Sequence, residues 1–152
     1  FPRPAAAGAM KVAAQLSPAG KENLYRHNAD ALTISGTQRP WLYASGCTGA
    51  AKLSIATLWD APAGLPVDET RAYTVRLHFA DPTNSERGQR VFGVKVQGKS
   101  VLEGFDIVAE AGGARRALVK EVAGVEAGSS VDIELVPVTG DPILCAVEII
   151  EE

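Results

Sequence analysis

The chain has 152 residues, of which 46% are hydrophobic and 22% are charged, and its formal net charge is -3 at pH 7. This length fits one domain, and a domain of about 150 residues buries roughly 68–70% of the surface of its unfolded chain. The weakly acidic balance, with no basic run longer than Arg115-Arg116, argues against a nucleic-acid partner. No apolar run reaches the roughly 18 residues of a membrane span.

The first part of the chain predicts a linker followed by short strands. The opening residues FPRPAAAGA are rich in proline and alanine and lack the basic and apolar regions of a signal peptide. We interpret residues 1–9 as a linker and residues 10–152 as one domain. Short apolar runs predict an edge strand at 10–16 and a second strand at 31–35. Alternation predicts another strand at 52–59.

The second half of the chain predicts antiparallel sheet. Apolar and polar residues alternate over 73–79, 92–96, 131–137 and 143–149, as in strands with one buried face. Further strands are predicted at 101–107 and 117–122. The residues expected in the core are Val75, Leu77, Phe79, Phe92, Val94, Val96, Ile133, Leu135, Val147 and Ile149. Because no stretch has an amphipathic helical period, we predict an all-β antiparallel sandwich of jelly-roll type, with any helix limited to a single turn.

Catalytic chemistry is not predicted. The chain has no P-loop, no dinucleotide-binding glycine pattern and no serine elbow, and its two histidines and two cysteines are far apart in sequence. Carboxylates in or near loops leave a glycosidase-type pair open, although turn capping or solvation is the preferred interpretation. These carboxylates are Asp81, Glu86, Asp106, Glu110 and Asp141. We predict no enzyme activity, no cofactor and no metal site.

Two polar or reactive positions leave alternatives open. Cys145 falls on the predicted inward face of the last strand, where it is either a buried free thiol or a disulfide partner of Cys47. His78 falls on the outward face of its strand beside Arg76, which predicts a surface or second-layer polar residue.

Three aromatic residues are candidates for sugar contact because they lie in irregular, polar segments. Tyr25 lies in 22–28, and Trp41 and Tyr43 lie in 37–48. No alternating pattern predicts their burial, so two interpretations stay open: their rings contact the apolar face of a pyranose, or they pack within the loops. Core positions are predicted instead for Trp59, Tyr73, Phe79, Phe92 and Phe105.

The segment 73–121 resembles the malectin and malectin-like carbohydrate-binding domains. It contains a strand ending in HFAD, a polar loop, VFGV, a tight turn, a strand ending in FDI, and EAGG. The resemblance implies a galactose-binding-domain-like sandwich whose loops at one end bind a glucose-containing oligosaccharide. In the family, two adjacent aromatics follow the HFAE-type strand in the animal proteins, and an acidic residue precedes a P-x-x-C-A stretch. Here loop 81–88 has no aromatic residue, and Asp141 directly precedes the proline of PILCA.

The sequence therefore predicts a non-catalytic carbohydrate-binding module that recognises an oligosaccharide or polysaccharide. The site is expected where 37–48 meets 138–142 and 81–89, with these ligand-binding residues: Tyr25, Trp41, Tyr43, Arg87 and Asp141. The missing aromatics in 81–89 favour an alternative, a protein-interaction or adhesion module that has lost sugar binding. Both interpretations expect a domain attached to other domains of a larger secreted or surface protein, located outside the cell, in the periplasm or on the cell surface.

Overall fold

The computed structural model describes residues 14–17, 24–27, 33–49, 52–56 and 70–152, with the backbone alone described for 14–17. The predicted linker at 1–9, the start of the predicted edge strand, and Trp59 lie outside the described residues.

Strands dominate the part of the chain that the structure describes. They are β1 (Ala14–Ser17), β2 (Leu24–Arg26), β3 (Ser45–Thr48), β4 (Lys52–Ala56), β5 (Arg71–Phe79), β6 (Val91–Val96), β7 (Lys99–Phe105), β8 (Leu118–Ala127), β9 (Ser130–Thr139), β10 (Ile143–Leu144) and β11 (Ala146–Glu151). A 3-10 helix spans Pro40–Tyr43, and a five-residue α-helix, α1, spans Ile107–Ala111. Neither helix has the length and hydrophobicity needed to cross a lipid bilayer, nor does any other helix in the described ranges.

The strands form two packed layers. One layer is a five-stranded sheet in the order β1-β4-β9-β6-β7, and the other is made of the three-stranded sheets β11-β5-β8 and β10-β3-β2. All strand pairs are antiparallel. The main core lies between the layers, where the rings of Phe79, Phe92 and Phe105 pack with centroids 4.8–5.9 Å apart. The predicted antiparallel sandwich is confirmed.

The predicted inward faces are also confirmed. Eight of the ten residues expected in the core are buried, and Val147 and Ile149 are half-buried and pack against the same cluster. Phe105 and Tyr73 are buried as predicted. Period-2 alternation identified these residues because one face of each strand meets the other layer and is removed from water.

Several short elements differ from the prediction. Within the described part of 31–35 there is an isolated bridge between Ser35 and Arg116 and no strand. The segment 37–48 is not irregular throughout, since it contains the 3-10 helix and β3. The predicted last strand is interrupted at Cys145, so that β10 and β11 belong to different sheets. The strand predicted at 101–107 ends at Phe105, where Asp106 caps α1 by accepting a hydrogen bond from the amide of Ala109 (3.1 Å).

Residues 33–44 form a covering segment over the outer face of β5. Ile34 and Tyr43 of this segment are buried against Ala80, and Leu42, Ala117 and Cys145 pack around them as a second, smaller hydrophobic cluster. His78 lies on the outward face of β5, as predicted, but the covering segment leaves it only 2% exposed. This half of the sheet therefore has packed residues on both faces.

Candidate functional site

Three segments meet at one end of the sandwich. The loop between β5 and β6, residues 80–90, lies beside the loop 139–142, because Val91 pairs with Thr139. A Cβ atom on Gly140 would lie only 2.7 Å from the main-chain oxygen of Gln89, and Gly140 has a φ of +65°. A side chain at this position is disfavoured on both counts. The end of β3 joins them, since the Gly49 amide donates to the Pro142 carbonyl at 2.9 Å.

Asp81 anchors the first of these loops from inside the fold. Its side chain is fully buried, and Oδ1 accepts hydrogen bonds from the amides of Thr83 (3.1 Å) and Asn84 (2.9 Å). Oδ2 accepts from Nδ2 of Asn84 (3.1 Å) and from Nε of Arg90 (2.8 Å). Burial opposes ionisation, but these hydrogen bonds and the adjacent guanidinium outweigh it and hold the pKa of Asp81 below its usual value.

Asp141 is held through its main chain and exposed through its side chain. Its carbonyl oxygen accepts a hydrogen bond from Nη1 of Arg90. Its carboxylate has no ion-pair partner among the described residues, and the residue is exposed. Arg87 is exposed in the neighbouring loop, and Val138, just before the Asp141 loop, is 69% exposed. This end of the sandwich, formed by loop 80–90, residues 138–142 and Gly49, is called the loop end below. It presents a carboxylate, a guanidinium and a small apolar surface to solvent.

A second anchor fixes the middle of loop 80–90. The amide of Gly88 donates to Oδ2 of Asp106 at 2.6 Å, while Oδ1 of the same carboxylate caps α1. The loop is therefore tied at its start by Asp81, in its middle by Asp106 and at its end by Arg90.

Tyr25 lies near this end but is partly buried. It pairs with Gly46 across β2 and β3, and its hydroxyl donates to the thiol of Cys145 at 3.0 Å. Burial raises the pKa of Tyr25, and the charge of Arg90 opposes the shift weakly. Burial also raises the pKa of the Cys145 thiol, to about 11. Tyr25 is thus close to the loop end, with its hydroxyl already used inside the protein.

Trp41 lies in a different environment from Asp141. Its ring is 59% exposed on the covering segment. Two residues earlier, Nη1 of Arg39 lies 3.1 Å from Oε1 of Glu148 on β11. Within the described ranges, no hydrogen bond or ion pair links the covering segment to residues 138–142. The expectation that Trp41 and Asp141 belong to one site therefore stays a prediction.

Tyr43 is buried, so of the two alternatives the packing one holds, and the ring is not exposed to a sugar. It is 2% exposed, and its hydroxyl lies 3.0 Å from Nδ1 of His78. On the other side of the imidazole, Nε2 of His78 lies 3.3 Å from Oε2 of Glu148. Burial raises the pKa of Tyr43. The physical reason is the covering segment, which folds the ring inward against β5, and a search for strand alternation could not detect this.

The other reactive groups have structural partners. Glu110 pairs with Lys120, and both cysteines are free thiols. Cys145 packs in the second cluster and not on the face predicted, whereas Cys47 belongs to the main core, where burial raises the pKa of its thiol. Within the described ranges, no three His, Cys, Asp or Glu side chains are grouped as metal ligands would be.

The comparison with known families decides the assignment of the fold. A model of the malectin domain matches residues 14–139. The chain belongs to the malectin domain family. This malectin domain shares 34% identity over 115 residues with Receptor-like protein 4 of Arabidopsis thaliana, covering 74% of this chain and 18% of that protein. The chain therefore spans less than a fifth of that relative's length.

Solved structures have the same fold at low identity. The extracellular domain of ANXUR1 from Arabidopsis thaliana superposes with a TM-score of 0.68 at 18% identity, covering 88% of this chain and 39% of that one. A Bacteroides uniformis beta-glucuronidase superposes with a TM-score of 0.59 at 21% identity, covering 78% of this chain and 13% of that one. The malectin fold thus occurs as a part of larger proteins in both cases.

Proposed function

We propose that this malectin domain is a non-catalytic carbohydrate-binding module and that its ligand contacts the loop end. The observation that carries the proposal is Asp141. Its main chain is fixed by Arg90, while its carboxylate is exposed and unpaired among the described residues. A carboxylate in this state can accept hydrogen bonds from sugar hydroxyls without first breaking a protein contact. The sequence resemblance implies that the family uses an acidic residue in the same loop, and Asp141 lies one position away from the animal spacing.

The remaining predicted residues have unequal roles in this proposal. Arg87 is exposed in loop 80–90, which lies beside the loop of Asp141, and it can donate to hydroxyl or carboxylate oxygens of a sugar. Tyr25 offers one edge of a partly buried ring. Trp41, on the covering segment, is 59% exposed, and we propose that its ring extends the site for glycans of several rings. Tyr43 packs between the covering segment and β5, where its hydroxyl contacts His78.

Such a site should bind weakly. A few hydrogen bonds at exposed positions must offset the ordering of a flexible ligand. We expect affinities in the millimolar to micromolar range, about -4 to -8 kcal/mol.

The absence of hydrolysis is part of the proposal. Asp81 is buried in hydrogen bonds, Asp106 caps a helix, and Glu110 pairs with Lys120. These assignments remove three of the five loop carboxylates from consideration as a glycosidase pair. Release of reducing sugar from a polysaccharide panel, abolished by Asp141→Asn, would contradict this part.

A glycan array with the isolated domain, followed by titration calorimetry on the glycans retained, tests the proposal. Asp141→Asn and Arg87→Ala should weaken binding while the circular dichroism spectrum stays unchanged, since both side chains are exposed. Trp41→Ala should weaken binding of long glycans more than of disaccharides. Glu103→Gln, an exposed carboxylate on β7, is the matched control and should bind like the parent. Equal affinity of Asp141→Asn and the parent for a retained glycan would refute the assignment of the site.

A protein-interaction module is the second candidate. Loop 81–88 has no aromatic residue to stack on a sugar, and Trp41 is an exposed aromatic outside the loop end. The array distinguishes the two, because a domain that has lost sugar binding retains no glycan even at the millimolar concentrations that weak sites require.

We further propose that the domain works outside the cell, as part of a larger secreted or surface protein. Support comes from the receptor-like relative and from the extracellular domain of similar fold. An antibody against the domain should label intact, unpermeabilised cells that express the parent protein.

A further inference from the structure

We propose that the buried Asp81–Arg90 ion pair is the positioning element of the loop end, and that it fixes where the Asp141 carboxylate is presented. The expected effect of this pair on ligand affinity rests on the proposed function. Its effect on the contact between loop 80–90 and the Asp141 loop can be measured without any ligand.

The first step in the inference is the degree of burial. The Arg90 side chain is 12% exposed and the Asp81 side chain is fully buried. Removing two charges from water costs free energy that their attraction only partly returns, so such a pair is weak evidence for a purely stabilising role. A buried pair of this kind is better explained when it fixes a geometry that an apolar pair could not.

The second step is the geometry of the guanidinium. Arg90 uses Nε on Asp81, Nη1 on the carbonyl oxygen of Asp141, and Nη2 on Oγ1 of Thr83 at 3.5 Å. One planar group thus joins the beginning of loop 80–90 to Asp141, which lies 51 positions after Arg90 in the chain. The planar arrangement of arginine donors allows these contacts at once, whereas the ammonium of lysine is a single point charge.

The third step is the close fit of the two loops. Gly140 leaves no room for a Cβ atom against Gln89, and Asp106 holds the middle of loop 80–90 through the amide of Gly88. Arg90 therefore connects two segments that are already in contact. Its loss would loosen the loop at Asp141 itself, while Pro142 keeps its hydrogen bond from Gly49 and loop 80–90 keeps its Asp106 anchor. Residues near a binding site that are held in this way raise affinity by removing the ordering cost of the loop.

Arg90→Lys is the variant that tests the inference. It retains a cation beside Asp81, so it spares the fold, but it cannot reach Asp141 and Thr83 together. Hydrogen exchange measured by mass spectrometry should be faster in peptides covering 139–142 and unchanged in peptides covering β6. Arg76→Lys, the same substitution on the outer face of β5, is the matched control and should leave exchange at 139–142 as in the parent.

The binding measurement uses maltose and maltotriose as defined probes. If the parent binds either of them, Arg90→Lys should raise Kd roughly tenfold, the equivalent of one charged hydrogen bond, at a temperature where both proteins are folded. Uniformly faster exchange throughout the domain would indicate a purely structural role and overturn the inference. So would parent-like exchange at 139–142.

A failure of the proposed function has a different signature. If neither the probes nor any arrayed glycan binds the parent, the proposed function fails, and the exchange result alone still decides whether the pair positions Asp141. Should Arg90→Lys not fold, Arg90→Gln, which removes the charge but keeps an amide donor, is assayed in the same way and with the same deciding outcomes.

Discussion

Gly46 is a position where adding a single methyl group should lower the free energy of unfolding strongly. It faces Tyr25 across the β2–β3 pair, and the Tyr25 ring lies over it to reach Cys145. A Cβ atom at this position would fall closer than 3.0 Å to the main-chain oxygen of Leu144, and 2.8 Å from both Cε1 and the hydroxyl of Tyr25. In Gly46→Ala the new methyl group therefore clashes with the main chain of β10, which cannot move freely, and with the Tyr25 side chain, which can.

The expected loss follows from two costs. Inserting a methyl group into a packed site costs about 1–3 kcal/mol through shifted backbone and side chains. Displacing the Tyr25 ring also breaks its hydrogen bond to Cys145, worth about 1 kcal/mol. Together these predict a loss of about 2–4 kcal/mol, a large part of the roughly 5–15 kcal/mol that holds a typical domain folded.

Urea unfolding followed by circular dichroism measures this loss. Gly128→Ala is the matched control: a Cβ atom there meets no other atom within 4 Å, so it should change stability by less than about 1 kcal/mol. In a Tyr25→Phe background, Gly46→Ala should remain costly, because the ring carbon and the Leu144 oxygen are still in place. A loss below about 0.5 kcal/mol for Gly46→Ala in the parent would refute this account of the packing.

Three further predictions concern the core and the buried polar groups. Phe79→Ala should cost about 3–5 kcal/mol by the same unfolding measurement, and a loss under about 1 kcal/mol would mean that the faces of β5 are assigned wrongly. Tyr43→Phe leaves Nδ1 of His78 without its partner and should lower the free energy of unfolding by about 1–3 kcal/mol. Tyr73→Phe is the comparison, because it shows whether loss of the hydroxyl from another buried tyrosine has the same effect. The depressed pKa of Asp81 means that the unfolded chain binds its proton more readily than the folded one. The contribution of Asp81 is therefore complete above the unfolded pKa of about 3.9 and is lost as the pH falls through the folded pKa. Melting temperatures between pH 6 and pH 2 should fall less steeply for Asp81→Asn than for the parent, and identical slopes would contradict the prediction.

The sandwich was predictable because its strongest signals are local. The strands β5, β6 and β9 alternate apolar and polar residues in a way that a two-layer core explains directly. The short strands β2 and β3 gave no such signal, since three or four residues are too few for a period to be recognised. β2 can pair with β3 because Gly46 leaves room for the Tyr25 ring to cross the sheet. β3 also pairs with β10, which lies near the C-terminal end of the chain.

The positions of the candidate site residues were less predictable, because tertiary contacts decide them. Trp41 and Tyr43 are two residues apart in one polar segment, yet one ring is 59% exposed and the other 2% exposed. The difference comes from His78 and Ala80, which lie more than thirty positions away in sequence and give Tyr43 a surface to pack on. A search for alternation could not separate the two aromatics, since the 3-10 helix that carries them has a period near three residues.

The role of Asp81 was partly readable from the sequence. An aspartate followed by Pro-Thr-Asn is typical of a turn in which the carboxylate accepts the amides two and three residues ahead, as the structure has it. The pairing with Arg90 was not readable, because it depends on how loop 80–90 closes.

Loop 80–90 has buried anchors that hold its shape and exposed residues between them. Its exposed residues, and with them any ligand chemistry, can therefore change without loss of that shape. Asp81, Asp106 and Arg90 determine the course of loop 80–90 from inside the fold. The exposed positions between them, such as Ser85 and Arg87, make no contact on which that course depends. Side chains at these exposed positions can therefore be exchanged at little cost to stability. If the domain binds a ligand as proposed, substitutions at the exposed positions should change which ligand it binds, whereas substitutions of the buried anchors should change the affinity for every ligand.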